Sequence, residues 1–221
     1  SIERPIVFGN NDTPGVMLSS AAKEYMKVYG VLVGRNPLVF TNNDSGYETA
    51  IEFKKHGVDP IILDSRKNPT SEIIDEAKEL GINIKNSYVV VAAKGYKKVK
   101  SADIASISED KKKLGKIENI QCDCICVSGF WTPSIHLASQ SGNKTKFKEE
   151  IDAFVPGTSK QNETTLGAAN GIFSLEETLK TSFEAGSELS KKITEKNNQV
   201  SVPNVVEKKS SVHDKFWCVP L

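Results

Sequence analysis

The feature that most constrains the fold is a repeated pairing of a short apolar run with an amphipathic helix pattern. Apolar runs at residues 37–41 and 60–64 indicate buried strands. Each is followed by apolar side chains at helical spacing, and these helix patterns end at Gly57 and Gly81, where a left-handed cap is usual. A further helix is predicted over residues 19–29. Strands that alternate with helices at this spacing form parallel sheets with right-handed crossovers, so the pattern predicts a Rossmann-like α/β unit.

A second pattern follows the helices and is antiparallel in character. Residues 88–93, a turn at Lys94–Gly95, a segment through residues 99–107 and a charged tip at residues 109–116 predict a β-meander. Residues 120–127 then return as a strand. We therefore expect an α/β fold with a Rossmann-like parallel sheet and an antiparallel β-meander. This order of elements resembles the pyridine-nucleotide domain of two-dinucleotide-domain flavoproteins.

The first strand-to-helix turn is where a dinucleotide pyrophosphate binds in such folds, because free backbone N–H groups and the helix dipole point at it. The turn here is Asn42–Gly46, and no G-x-G occurs in the chain, so the usual glycine fingerprint is absent. We name Asn43, Ser45 and Gly46 as candidate cofactor-binding residues. The carboxylate of Asp44 would repel a pyrophosphate, so a helix N-cap role for Asp44 or Ser45 is the favoured alternative.

Asp64 ends the second predicted strand, about twenty residues after that turn. From this position a dinucleotide fold hydrogen-bonds the ribose 2′-hydroxyl, which makes Asp64 a further candidate for cofactor binding. An Asp at a strand end can equally cap the following loop, and the neighbouring Arg66 could neutralise its charge. Both interpretations of Asp64 remain open at this point.

The last strong helix pattern is preceded by a loop of small residues. Ser174, followed by Glu177, forms a capping box, and apolar side chains at helical spacing extend from Leu175 to Ile193. The loop before the box runs from Leu166 to Gly171 and consists mostly of Gly and Ala. The sequence therefore predicts a long, well-capped helix at the end of this region.

The cysteines and histidines offer no metal site. Cys122, Cys124 and Cys126 alternate along the return strand, which places them on one face as small buried hydrophobes. Such residues are too far apart to surround one tetrahedral ion, and no C-x-x-C completes a ligand set or forms a redox disulfide. His136 is expected to be structural rather than a catalytic base. We assign no catalytic residue.

Charge and hydropathy exclude two classes of partner. The 221 residues include 29 Lys and Arg against 28 Asp and Glu, so the net charge is +1. Nucleic acid is not expected as a partner, because it requires a net basic face. No run of about 18 apolar residues is present, so no membrane contact is expected and we predict a cytoplasmic protein. The start at Ser1 without Met and the strand-like end at residues 216–221 indicate a segment of a longer polypeptide.

Three segments together point to one family. They are Arg4–Leu18 (RPIVFGNNDTPGVML), Val39–Tyr47 (VFTNNDSGY) and Cys122–Pro133 (CDCICVSGFWTP), the last followed by His136–Leu137 and Ser139–Gln140. These segments resemble the alpha subunit of heterotetrameric sarcosine oxidase, and the similarity extends over most of the chain. Related amine and opine oxidase subunits share parts of them.

The resemblance implies an oxidoreductase that oxidises sarcosine and passes the one-carbon unit to tetrahydrofolate. It implies that the alpha subunit binds NAD, that FAD and FMN chemistry involves the beta subunit, and that folate binds in a separate domain. The beta, gamma and delta subunits would be the partners. By analogy, the small-residue loop would line NAD near the N-terminus of the last helix. Its candidate cofactor-binding residues are Gly167, Ala168, Ala169, Asn170 and Gly171.

The resemblance also implies a domain organisation. Residues 1–36 and 130–200 would be parts of one split dinucleotide-binding domain, whose glycine-rich turn would lie upstream of Ser1. Residues 37–129 would form an inserted Rossmann-like domain, and residues 201–221 a linker and the start of the next domain. Half of the NAD site would then be missing, so we expect the isolated chain to be inactive.

The main alternative is a non-catalytic scaffold, in which a degenerate nucleotide fold has become a packing and assembly surface. The Asn42–Gly46 turn favours the scaffold for residues 37–129. The small-residue loop before the capped helix favours the oxidoreductase component for the remainder. A Rossmann-like transferase that uses another nucleotide ranks last, because it would need a glycine-rich loop after the first strand.

Overall fold

A computed structural model describes the fold of residues 1–194, 201–207, 210 and 212–220. These residues form two compact units. The first, here called the hairpin unit, contains Ser1–Ile2 and Trp131–Glu207. The second, the sheet unit, contains Glu3–Phe130 and the described residues from 210 onwards. Each unit is described by itself.

The sheet unit alternates strands and helices and then continues with strands alone. A short β1 (Ile2–Glu3) has one residue in each unit. The elements that follow are β2 (Val16–Leu18), α1 (Ser19–Lys27), β3 (Pro37–Thr41), α2 (Ser45–Lys55), β4 (Ile61–Asp64), α3 (Glu72–Glu79), β5 (Asn83–Asn86), β6 (Tyr88–Lys94), β7 (Ser101–Ser106), β8 (Glu118–Gln121) and β9 (Cys124–Ser128).

Two sheets organise this unit. Five strands form a parallel sheet in the order β2-β9-β3-β4-β5. The strands β6, β7 and β8 form an antiparallel meander. The predicted fold class is confirmed: the unit is α/β, with a Rossmann-like parallel sheet and an antiparallel β-meander.

The two faces of the parallel sheet bury different cores. Leu38 and Phe40 pack with residues of the meander, whereas Val39 and Ile62 pack with residues of α1, α2 and α3. Successive side chains of a strand point to opposite faces, so a strand that is covered on both sides must be apolar throughout. This requirement explains why β3 reads as a continuous apolar run and why every one of its residues is buried.

The predicted return strand over residues 120–127 is in fact two strands. Glu118–Gln121 belongs to the meander and Cys124–Ser128 to the parallel sheet. Asp123 lies in the break, where its carboxylate accepts hydrogen bonds from the backbone N–H groups of Arg35 and Asn36 at 2.9 and 2.8 Å. The chain passes from the meander to the parallel sheet at Asp123. The alternation of apolar residues over 120–127 continues through this point, so the sequence pattern does not predict the break.

This break also corrects the expected placement of the cysteines. Cys122 packs in the core shared with the meander, whereas Cys124 and Cys126 pack in the core shared with the helices. All three thiols are buried, as predicted, but they do not share one face. Burial, followed by nearby Cys124 and Asp123, raises the pKa of Cys122 to about 12. A hydrogen bond with Cys124, followed by burial, raises the pKa of Cys126 well above its usual value.

The compact units divide at Phe130, and residues 3–36 lie within the sheet unit. Residues 3–36 lie in the sheet unit because β2 pairs with β9 in parallel and α1 packs against α2. The carboxylate of Glu3 accepts a hydrogen bond from the backbone N–H of Ser20 at 2.8 Å, at the start of α1. The N-terminal segment is thus an edge of the parallel sheet.

The described residues from 210 onwards lie in the sheet unit as well. Val7 and Cys218 form a parallel bridge, and Phe216 and Val219 are buried in the core shared with the meander. The predicted surface linker from Asn197 to Asp214 falls partly on residues 195–200, 208–209 and 211, which lie outside the described residues, as does Leu221.

The hairpin unit contains a two-stranded sheet and a long helix. The capped helix predicted after Ser174 is present, and β11 and β12 pair antiparallel within a stretch that the sequence indicated only as polar. Its elements are β10 (Trp131–Thr132), α4 (His136–Gln140), β11 (Thr145–Lys148), β12 (Ala153–Pro156), a 3₁₀ turn (Gly167–Asn170) and α5 (Leu175–Thr194). Of the helices among the described residues, none is long and apolar enough to cross a membrane.

The burial of three thiols leads to a labelling prediction. We expect iodoacetamide at about pH 8 to modify the exposed Cys218 of the native chain first, with the other thiols roughly tenfold slower or more, because the thiolate is the reactive species. Intact-mass spectrometry over time measures the number of labels. The Cys218→Ser variant should stay nearly unlabelled when native and gain three labels when denatured. Rapid labelling of native Cys218→Ser would contradict the burial.

Candidate functional site

The carboxyl ends of β3, β4 and β9 meet at one edge of the parallel sheet, where ligands bind in open α/β folds. We call the space between the Asn42–Gly46 turn and the loop after Asp64 the carboxyl-edge crevice. The structure brings the predicted residues Asn43, Ser45, Gly46 and Asp64 to this crevice, since Thr41 pairs with Asp64 in register. The sequence therefore located the edge correctly, and the contacts of each residue decide what it can do there.

Asn43 holds the turn together from inside. Its side-chain amide donates to the backbone oxygen of Ser128 at 3.0 Å and to Oδ1 of Asn42 at 2.9 Å. Its Oδ1 accepts the backbone N–H of Ser45 at 2.8 Å, at the start of α2. Asp44 occupies the N-cap position but makes no side-chain cap hydrogen bond. Asp44 thus takes the N-cap position that the alternative named, while the side-chain hydrogen bond to the start of the helix comes from Asn43.

Gly46 permits a close contact between helix and strand. A Cβ atom at Gly46 would lie 2.6 Å from Cβ and 2.7 Å from Oγ1 of Thr41. In the dinucleotide fingerprint, the third glycine has this same packing role, whereas the first two serve the tight turn and the approach of the pyrophosphate. With Gly46 at the third glycine position of that spacing, the first two positions are Thr41 and Asn43, so only the packing glycine is present.

Asp64 has no exposed surface, and protein donors surround its carboxylate. Arg66 donates from Nε, from Nη2 at 2.7 Å and from its backbone N–H. The hydroxyl of Tyr47 donates to Oδ2 at 2.8 Å. Arg66 also pairs through Nη1 with Asp44 at 2.9 Å. The arginine that sequence reasoning named as a possible neutralising partner therefore binds both acidic groups of the crevice.

These contacts fix the protonation of the two donors. Burial disfavours the charged form of Arg66, but its hydrogen bonds and charge interactions with Asp64, and then those with Asp44, outweigh this and raise its pKa. Burial, and then the negative charge of Asp64, raise the pKa of Tyr47. Both groups stay protonated and remain donors to the carboxylate across the working pH range.

A segment of the chain itself crosses the crevice. We call residues 212–219 the C-terminal strap. The side-chain amide of Asn42 donates to the backbone oxygens of Asp214 at 2.8 Å and Phe216 at 3.0 Å. The backbone oxygen of Asn42 accepts the N–H of Asp214 at 2.9 Å. Asn42, which the sequence analysis did not single out, is therefore the residue that holds the strap.

Further contacts fasten the strap along its length. Lys111 forms an ion pair with Asp214 at 2.9 Å. The ring of His213 stacks on that of Phe130 at 3.8 Å between centroids. The indole N–H of Trp217 donates to the backbone oxygen of Gly129 at 2.8 Å. No sequence signal indicated these contacts, because the strap lies far along the chain from the elements that it touches.

The space that remains beside the strap is an open cleft of about 420 Å³ after β4. Its cations are Arg66, Lys67 and Lys111, and its carboxylates are Glu109 and Asp214. Each cation is already paired with a carboxylate: Arg66 with the buried Asp44 and Asp64, Lys67 with Glu109, and Lys111 with Asp214. A pyrophosphate would have to compete with these carboxylates for the cations, and its repulsion from them disfavours binding.

The predicted small-residue loop lies in the hairpin unit, where its glycines allow a close approach to neighbouring side chains. Gly167 and Gly171 have positive φ angles of 60° and 72°, and a Cβ atom at Gly171 would lie 2.6 Å from Cδ1 of Ile151. Asn170 lines a polar cavity of about 240 Å³ together with Asn143 and Lys146. The loop thus combines backbone that approaches its neighbours closely with an open polar space beside it.

The N-terminus of α5 holds a carboxylate. The predicted capping box is present in part, since Ser174 Oγ accepts the N–H of Glu177 at 3.2 Å. Glu207 accepts hydrogen bonds from Ser174 Oγ at 2.6 Å and from the backbone N–H of Leu175 at 2.9 Å. The hydroxyl of Ser174, followed by the N–H of Leu175, lowers the pKa of Glu207. This helix end therefore binds an anion in the way that helix dipoles favour.

His136 lies at the start of α4, where its Nδ1 is 3.0 Å from Oγ of Ser134. Within the described ranges, no group of three or more His, Cys, Asp or Glu side chains is placed to hold a metal ion.

Two solved oxidoreductases share the fold of this chain. Thioredoxin reductase from T. acidophilum matches with a TM-score of 0.55 and 14% identity, over 76% of this chain and 58% of that one. L-proline dehydrogenase from P. horikoshii matches with a TM-score of 0.55 and 20% identity, over 92% of this chain and 38% of that one. At such identities the likeness concerns the fold alone. The chain thus has the Rossmann-like fold of this class of oxidoreductases.

Sequence comparison is more specific. The sarcosine oxidase subunit alpha of Corynebacterium sp. (strain P-1) is 33% identical over 83% of this chain, and that of Rhizobium meliloti (strain 1021) is 37% identical over 76%. The chain spans 19% and 16% of the lengths of these relatives. No protein-family model matches the chain. The resemblance to the sarcosine oxidase alpha subunit is confirmed, for a part of that subunit.

The ion-pair cluster in the crevice leads to a stability prediction. We expect Asp64→Asn to lower the free energy of unfolding by roughly 3–5 kcal/mol, because it leaves buried Arg66 with one carboxylate only. Tyr47→Phe removes one hydrogen bond to a charged group and should cost about 1.5–3 kcal/mol. Urea unfolding followed by circular dichroism measures both. Equal losses in the two variants would contradict the central role of the ion pairs.

Proposed function

We propose that the chain is the nucleotide-binding-type part of an oxidoreductase subunit of the sarcosine oxidase alpha type. The observation that carries the proposal is the 32–37% identity to these subunits over about four fifths of the chain. In the full complex the reaction would be oxidative demethylation of sarcosine with one-carbon transfer to tetrahydrofolate, carried out in the cytoplasm with beta, gamma and delta subunits. The isolated chain would be inactive.

The cofactor of the intact subunit would be NAD, with FAD, FMN and tetrahydrofolate elsewhere in the complex. We assign NAD to the hairpin unit. The positive φ angles of the loop and the polar cavity beside Asn170 support this assignment, because both allow a ligand to approach the backbone. Helix N-terminal donors at Leu175, where Glu207 now binds, support it as well. The residues proposed to line NAD are Gly167, Ala168, Ala169, Asn170 and Gly171.

The proposed domain boundaries follow the two compact units. We place the split dinucleotide-binding domain at residues 1–2 and 131–207, and the inserted Rossmann-like domain at residues 3–130 together with the strap. The pairing of β2 with β9 supports the earlier start of the inserted domain. The half of the NAD site that contains a glycine-rich turn would belong to another part of the subunit.

A second candidate function applies to the sheet unit, namely the non-catalytic scaffold. The observation that favours it is the occupied carboxyl-edge crevice, in which Asp64 is saturated by Arg66 and Tyr47 and the strap is bound to Asn42. A ribose contact by Asp64, or phosphate contacts by Asn43, Ser45 and Gly46, would require these bonds to break. The sheet unit would then serve packing and assembly instead of cofactor binding.

The test is calorimetric titration of NAD into the full-length subunit and into the 221-residue chain. We expect binding by the full-length subunit only. In that subunit, Asn170→Ala should weaken NAD binding about 3- to 10-fold, the effect of one lost hydrogen bond of roughly 0.5–1.5 kcal/mol.

The matched control is Asn68→Ala, which removes the same side chain from the cleft of the sheet unit. We expect it to leave NAD affinity unchanged. Weaker binding in Asn68→Ala with normal binding in Asn170→Ala would move NAD to the sheet unit. Tight binding by the 221-residue chain alone would refute the incomplete site.

A further inference from the structure

The contacts of the strap point to a use for the carboxyl-edge crevice other than cofactor binding. We propose that this crevice is a docking site for an extended polypeptide, and that residues 212–219 of the same chain are its occupant. The proposal concerns the sheet unit and does not depend on where NAD binds. Its central residue is Asn42, which has no exposed surface.

Recognition of the strap is first of all recognition of its backbone. The side-chain amide of Asn42 donates to two alternate carbonyls, those of Asp214 and Phe216, and its backbone oxygen accepts the N–H of Asp214. A side-chain amide with two donors fits two carbonyl oxygens and would offer only neutral donors to a phosphate. Asn42 therefore has the chemistry of a peptide clamp.

The second half of the strap binds like an added strand. The N–H of Val7 donates to the oxygen of Trp217 at 2.7 Å, and the N–H of Val219 donates to the oxygen of Val7 at 2.9 Å. These bonds form the parallel bridge between Val7 and Cys218. Strand addition of this kind is a general mode of peptide recognition, in which backbone bonds give affinity and alternate side chains give specificity.

Side chains on both sides of this bridge supply the specificity. Phe216 is 5% exposed and Val219 is 2% exposed, and both belong to the core of the sheet unit. The guanidinium of Arg4 lies over the ring of Trp217, 4.4 Å from its centroid. The occupant that fits is therefore an extended segment with an aromatic pair and an apolar residue shortly after it.

An acidic residue completes the match. Asp214 pairs with Lys111 at 2.9 Å and accepts a longer hydrogen bond from Ser65 Oγ at 3.4 Å. Lys111 also donates to the backbone oxygen of Ser65. The loop after β7 is thereby tied to the loop after β4 across the strap. A strap bound on its backbone, its apolar side chains and its charge would keep the crevice closed to a dinucleotide.

The test measures hydrogen–deuterium exchange of the full chain by mass spectrometry. In Asn42→Ala we expect exchange in peptides covering residues 212–219 to rise at least roughly tenfold, because two carbonyl bonds of the strap are lost. Peptides covering β3, β4 and β9 should keep their protection. The matched control is Asn36→Ala, an exposed asparagine at the opposite end of β3, which should leave the strap protected.

Asp214→Ala keeps the proposal testable if Asn42→Ala does not fold. It removes the Lys111 ion pair but not the backbone bonds, so exchange should rise in the strap alone and by less. Unchanged exchange in residues 212–219 of both variants, or equal loss of protection in strap and sheet, would overturn the docking site. NAD titration of the full-length subunit that carries Asn42→Ala tests the proposed function separately. If NAD binds in the hairpin unit, this variant should bind NAD with unchanged affinity.

Discussion

The buried guanidinium of Arg66 decides what the carboxyl edge of the parallel sheet can hold. A charge that is 7% exposed persists there because Asp64 and Asp44 both pair with it. These ion pairs use the carboxylate of Asp64 at the end of β4, and they keep the guanidinium of Arg66 bound to the protein's own carboxylates. An incoming diphosphate would have to break short, charge-assisted bonds before it gained a partner. The cluster therefore disfavours ribose and phosphate contacts at positions that make them in a dinucleotide fold.

The Rossmann-like packing around this edge does not require a nucleotide-binding turn, because different residues of the turn serve packing and cofactor binding. Gly46 still lets α2 approach Thr41, which a side chain at that position would prevent. Asn43 replaces the free N–H groups of a phosphate turn with an internal network, through Ser128 and Ser45. The sheet, the crossovers and both cores thus remain those of a nucleotide fold, while the donors that a nucleotide would use are bound within the protein.

Elements that are buried on two faces were predictable from the sequence, and elements at an edge were not. β3 and β4 are apolar up to their last residues, Thr41 and Asp64, and the helices after them end two residues before Gly57 and Gly81, where φ is positive as expected. β2 has only three residues, and three of the four residues in Asn83–Asn86 are polar, so neither strand carries a periodic signal. The position of the carboxyl edge was predictable by the same logic, since strand ends follow from strands. The strap at this edge was not, because Asn42 meets Phe216 only through tertiary folding, 174 positions along the chain.

Both units hold a carboxylate where a nucleotide fold would present donors to a phosphate, but displacing the two would cost different amounts. Glu207 at the start of α5 is exposed, so water can replace its hydrogen bonds and salt screens its attraction to the helix end. Asp214 belongs to a strap whose Phe216 lies in the core, so its removal would also expose apolar surface, at roughly 25 cal/mol per Å². A competing phosphate could therefore replace Glu207 by exchange of one anion for another. In the sheet unit it would first have to extract a piece of the hydrophobic core, and this difference supports the proposal that the cofactor binds in the hairpin unit.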